Sequence, residues 1–143
     1  MERKISLIKL LRMSDYEANT QFRPEDMERV HGEELRRVAI DNHRKLWYWL
    51  CRDTIKKRKK VEKYEFFNYL FLSNVSHHCY LCEYRRRTGI LCSECLLDWK
   101  KESCTKQRAY YEKWRTTDEK NWIKSAYYAW KIARLKERER DYY

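Results

Sequence analysis

Only two glycines and one proline occur in 143 residues. A chain this poor in turn formers is badly suited to the many tight reversals of a β-sandwich or barrel. With 38% of its residues charged, it reads instead as helices joined by short links. The expected fold class is mostly α, a compact helical domain spanning 1–143 with an inserted four-cysteine zinc knuckle and a short β-hairpin as an option at the metal site. Residues 1–20 are left unassigned, 21–76 are expected to be helical, 77–104 to form the knuckle and 105–143 to return to helix.

Within 1–20, ISLIKLL fits a strand or a short helix equally well, because so short an apolar run has no decisive period. Ser14 and Glu17 have capping-box spacing and mark a helical turn. A longer helix is expected from Pro24 to Cys51, since proline suits a first turn and Glu25 and Asp26 suit the positive end of the dipole. Gly32 is a point where it can divide. Leu35, Val38, Leu46, Trp49 and Leu50 share one face of it, and Trp47 and Tyr48 widen the apolar surface toward the core. Val61, Tyr64, Phe67 and Leu70 then recur at helical spacing. Near the end, Tyr110, Tyr111 and Trp114 form one segment, and Thr116 with Glu119 marks a new start. Trp122, Ala126, Ala129, Trp130 and Ala133 make a buried stripe. The tail, RLKERERDYY, reads as a polar helix end that frays.

The chemistry is concentrated in HHCYLCEYRRRTGILCSEC, positions 77–95. Cys79 with Cys82 and Cys92 with Cys95 give the spacing C-x2-C-x9-C-x2-C. Two such turns can aim four soft thiolates at one point, the donor set a structural zinc ion favours. Gly89 supplies a flexible point for a hairpin-like return between the pairs. A redox C-x-x-C stands alone in a βαβ setting, which is not evident. A catalytic zinc keeps an open position, which four cysteines would close. The H-x-E of a zinc deaminase is missing, since His77 and His78 are followed by cysteine and tyrosine. His77, His78 and Cys104 remain alternative ligands; the plainer reading places the histidines at the surface or beside the metal, and Cys104 and Cys51 in the interior.

No apolar run reaches the ~20 residues of a membrane-spanning helix. Lys9 and Arg12 interrupt the signal-like start, so an intracellular site with reduced thiols is expected. The net charge is +11; four thiolates and one Zn2+ would remove two charges and leave about +9. An acidic partner is implied, either a protein surface or nucleic acid. The candidate contacts are the basic run Lys56, Lys57, Arg58, Lys59 and Lys60, and Arg85, Arg86 and Arg87 in the knuckle loop. The bland alternatives are a solvated face for the first cluster and charge balance of the thiolate site for the second. No acid, base and stabiliser can be named together, and His43 has no acidic metal cluster beside it, so no enzymatic activity is expected.

HRKLWYWL at 43–50, KVEKYEFF at 60–67, HHCYLCEY, LCSECLLDW and YYEKW at 110–114 together resemble a group of small zinc-knuckle proteins from phages and prophages of Gram-positive bacteria. The resemblance covers about 41–135. It matches Cys79, Cys82, Cys92 and Cys95 to metal ligands and Cys104 to a further cysteine common in the group. Leu96 and Lys100 stand where the group often has proline and glycine, which implies a different local turn. The chain is also similar to a zinc-containing kind of type II-A anti-CRISPR protein. That likeness implies a partner, Cas9, bound through an acidic face in the cytoplasm of a bacterial host. The alternative is a basic, nucleic-acid-binding phage regulator with structural zinc.

Overall fold

The computed structural model describes residues 2–72, 75, 78–90, 95–98 and 109–138. Among them are seven helices and one isolated antiparallel bridge. The protein is mostly helical, as its turn-poor sequence implies. No helix among the described residues is long and apolar enough to cross a membrane.

The organising element is α3 (Gly32–Lys57), which two short helices precede in the chain. From Val38 to Arg52 every residue except Lys45 is buried. A helix covered nearly all round lies at the centre of its fold, and α1 (Leu7–Arg12), α4 (Lys63–Tyr69), α5 (Tyr80–Thr88) and α7 (Trp122–Ala133) all pack against this one. The helix expected from Pro24 begins eight residues later. Gly32 takes φ 58°, a left-handed conformation through which a right-handed helix cannot run. The segment before it is tied down without helix: the Asn42 side-chain amide donates to the Glu25 carbonyl at 2.7 Å and accepts from the Glu25 N–H at 2.9 Å. At the other end the helix outruns Cys51 by six residues and takes in Lys56 and Lys57.

The ambiguous ISLIKLL is helical. Ser6 Oγ accepts the Lys9 N–H at 3.1 Å and starts α1 (Leu7–Arg12). Ser14 does the same for Glu17 at 3.1 Å and starts α2 (Asp15–Gln21), as the capping-box spacing suggested. The buried Tyr48 hydroxyl fixes the chain ahead of α1, accepting from the Ile5 N–H and donating to the Arg3 carbonyl.

Glu62 and Glu65 form a reciprocal capping box at the start of α4 (Lys63–Tyr69). Phe66 and Phe67 point inward, and Val61 and Leu70 flank them in the core. Helix α5 (Tyr80–Thr88) follows, then α6 (Tyr110–Thr116) and α7 (Trp122–Ala133). The indole of Trp114 in α6 meets Trp47 of α3 edge to face, ring centres 4.8 Å apart. Ala126, Ala129 and Ala133 of the expected stripe are buried, with Ser125 and Ile132 beside them, while Trp122 and Trp130 stay half-exposed at its margins.

Two expectations near the C-terminus are corrected. Thr116 does not start a helix: its hydroxyl donates back to the Glu112 carbonyl at 2.9 Å and closes α6. Nor is 134–138 a fraying helix end. Helix α7 stops at Ala133, and the chain runs antiparallel to the segment after Cys95. Asp98 N–H donates to the Lys136 carbonyl at 2.8 Å, and Arg138 N–H to the Leu96 carbonyl at 2.9 Å. Arginines of α3 hold this tail. Arg36 meets the Glu137 carboxylate at 3.0 Å, and Arg44 donates to the Leu135 carbonyl at 3.3 Å.

Candidate metal-binding turn and basic surface

The first cysteine pair sits where α4 hands over to α5. His78 takes φ 50°, a rare conformation for a residue with a side chain. Its ring lies against Phe67, centres 5.0 Å apart. This reversal delivers Cys79 as the N-cap of α5, in extended conformation. The Cys79 sulfur accepts the Cys82 N–H at 3.2 Å. Buried Tyr80 and Leu81 fasten the helix to the core, Tyr80 against Phe67 with centres 5.7 Å apart.

The two thiols of the pair are neighbours. A hydrogen bond with the Cys82 thiol, burial and the like charge of a second thiolate together push the Cys79 thiol well above its ordinary range. A divalent cation at the two sulfurs would reverse that preference, because a metal stabilises the thiolate directly. The pair therefore fits one half of a four-sulfur zinc site in donor type and placement. Cys95 is half-buried and packs on the same core. Cys92, His77 and Cys104 lie outside the described residues. Among the described residues no group of three or more His, Cys, Asp or Glu side chains gathers as a metal site.

The residues between the pairs form a helix as far as Thr88, which corrects the hairpin-like return. Glu83 bridges forward to Arg86 at 2.5 Å and to Arg87 at 3.2 Å, the i+3 and i+4 pairings that favour helix. Gly89 ends it at φ 76°, its N–H donating to the Arg85 carbonyl at 2.8 Å. The three arginines are thus the last turn of α5, where cations complement the dipole. They are not equivalent. Arg86 and Arg87 are exposed and Arg85 is half-buried, and Arg87 also donates to the Met27 carbonyl at 2.6 Å.

The other basic cluster also divides. Lys56 reaches Asp15 at 3.2 Å and Lys57 reaches Asp53 at 3.5 Å from the last turn of α3. Arg58 caps that helix at φ 53°, and Lys59 is exposed beside it. Lys60 turns inward. Its ammonium donates to the Arg115 and Thr117 carbonyls, both at 3.2 Å, and lies 4.5 Å from the ring centre of Trp114. It is the cation that fixes α6 to the end of α3, a role that no count of consecutive lysines signals.

Cys51 is an interior group, as expected, and His43 is interior too. Burial pushes the Cys51 thiol up to about 12. Burial also drives the His43 imidazole down to about 3, and its Nε2–H donates to the Ile132 carbonyl at 3.4 Å. Arg52, fully buried, carries a charge the sequence did not flag. It donates to the Met13 carbonyl at 2.9 Å and the Asp15 carboxylate at 2.7 Å, and so seats α2 on α3.

Comparison with protein-family models, with curated proteins and with solved structures finds no match to this chain.

Proposed function

We propose that the chain is a zinc-stapled helical interaction protein of the phage zinc-knuckle type. In this reading it is an anti-CRISPR factor that binds an acidic surface of Cas9 and blocks DNA targeting in the bacterial host cytoplasm. The observation that carries the metal half is the Cys79–Cys82 turn, two adjacent sulfurs presented by a helix start that is itself anchored in the core. Cys92 and Cys95 would complete the ligand set. Zinc held there is structural: it adds a tetrahedral cross-link and leaves no coordination position for water.

The partner half rests on the likeness of the motif set. HRKLWYWL is the buried centre of α3, and the tyrosine and tryptophan of YYEKW pack on its Trp47. Within the two basic clusters the exposed cations are Lys56, Lys57, Arg58 and Lys59, with Arg86 and Arg87 apart from them. Lys60 is buried on the protein itself and Arg85 is half-buried. No residue is assigned a catalytic role.

The test is gel filtration of zinc-loaded protein with guide-loaded Cas9 at raised salt, with duplex DNA in parallel. Co-elution with Cas9 alone supports the inhibitor. Migration with DNA alone, lost steeply as salt rises, supports the regulator instead. Binding to neither overturns both.

A further inference from the structure

Helix α7 has a second face. Its inner stripe of alanines packs against α3 and α6. On the outer side Ile123 and Tyr127 stand at i and i+4, and Trp130 follows at i+7, at the margin of the two faces and partly packed on the core. Ile123 is 66% exposed and Tyr127 49%, while Trp130 is half-buried at the margin. Single exposed apolar residues are ordinary, but a ridge of three at helical spacing is the pattern by which one helix docks on another.

The charged groups that lie on the rings of this ridge are basic. Lys131 Nζ lies 5.8 Å from the Tyr127 ring centre and 5.9 Å from that of Trp130, and the Arg134 guanidinium stacks on Trp130 at 3.9 Å. Lys124 is exposed one position after Ile123. Helix α7 contains no acidic residue. Stacked bases are a poor fit, because Arg134 already covers Trp130 and Ile123 has no ring to offer.

We infer that the outer face of α7 is a docking ridge for an acidic amphipathic helix of a partner protein, whose apolar side covers Ile123, Tyr127 and Trp130 while its carboxylates meet Lys124, Lys131 and Arg134. The ridge spans about two helical turns, so a partner helix of two to three turns covers it. This inference names a contact face for the interaction protein proposed above, and it does not depend on the partner being Cas9.

The probe is a synthetic amphipathic helix of about 18 residues, long enough to hold its own structure, with a leucine stripe flanked by glutamates. A scrambled peptide of the same composition and a version with lysine replacing glutamate serve as controls, and a single-stranded oligonucleotide is run alongside. Binding is followed by backbone amide shifts of the full-length, zinc-loaded protein. The acidic helix is expected to shift amides of α7 and to bind about tenfold tighter than the scrambled peptide. Ile123→Asp is expected to abolish the difference. Lys124→Glu with Lys131→Glu is expected to weaken the acidic peptide and strengthen the lysine one, a reversal that misfolding would not produce. Shifts confined to other helices, equal binding of the scrambled peptide, or tighter binding of the oligonucleotide at α7 would each overturn the inference. Cas9 titrated into the same sample reports separately on the proposed function. Peptide binding at α7 without Cas9 binding removes Cas9 and leaves the ridge.

Discussion

The ammonium of Lys60 lies over the indole of Trp114 while donating to the carbonyls of Arg115 and Thr117. One buried cation therefore serves the open C-terminal end of α6, where carbonyls lack helical partners. Lys60→Met keeps the stem and removes the charge. It is expected to cost about 2 kcal/mol, read as a lower urea midpoint, because charged hydrogen bonds are lost and two carbonyls are left unpaired. Lys59→Met, one residue away and exposed, is expected to stay within about 0.5 kcal/mol of the parent.

Acid is expected to destabilise the protein before its carboxylates titrate. His43 is buried neutral, with its pKa lowered to about 3 by burial first and by the Arg44 and Lys63 charges after it. The unfolded chain takes up this proton near pH 6.5 and the folded one does not. Stability is thus fully present above about pH 6.5 and falls as pH drops below it, by about 2 kcal/mol at pH 5. Urea titrations at pH 7 and pH 5 measure the difference. His43→Gln, which has nothing to protonate, is expected to flatten it.

Phe71 is a bulky residue in a place made for glycine. Its N–H donates to the Asn68 carbonyl and the Leu72 N–H to the Phe67 carbonyl, the paired bonds of a Schellman ending to α4. Phe71 holds the left-handed position at φ 54° with its ring 95% exposed. Phe71→Gly is expected to stabilise the fold by about 0.5–1 kcal/mol, the relief of left-handed strain less the extra freedom glycine gains when unfolded. A lower urea midpoint for the variant would refute this account.

Metal content and its removal test the cysteine turn. The zinc-loaded protein is expected to carry one zinc per chain, lost in Cys82→Ala or under a strong chelator. Loss is expected to lower amide-exchange protection mainly around α5, with α3 and α7 retained, because those helices hold a core of their own. Unchanged protection across 78–90 after metal removal would take zinc out of the structure's support.

Thiol labelling separates the cysteines. Cys51 is buried and its thiol lies near 12, so iodoacetamide at pH 8 is expected to leave it unmodified until the chain unfolds. Rapid modification of Cys51 in folded protein would mean that α3 opens locally.

What was legible in the sequence was whatever acts over one or two helical turns. The α3 and α7 stripes, the Ser14 cap and the interior place of Cys51 depend on neighbours four residues away or fewer. The misreadings depend on distant partners. The tail left the helical pattern because its backbone pairs with Leu96 and Asp98 and its carboxylate with Arg36. Lys60 left the basic surface because α6, more than fifty residues later, brings it two carbonyls. The cysteine linker is an intermediate case. Glu83 and Gly89 carried a helix signal, but the metal-site spacing drew attention to a hairpin. The Ile123 ridge was readable too, at i, i+4 and i+7, yet the alanine stripe on the same helix already accounted for its burial.

The bridge between Leu97 and Glu137 has a consequence for the order of synthesis. Glu137 is added forty residues after Leu97 (137 − 97). At roughly 5–20 residues per second that interval is about 2–8 s. Throughout it all four cysteines of the two pairs have been made, while Leu97, beside the last of them, lacks its bridge partner. Residues 136–138 act as a latch that closes only after α7 has been made. A chain cut before residue 134 would therefore keep the sequence of all seven helices and leave Leu97 without its bridge partner.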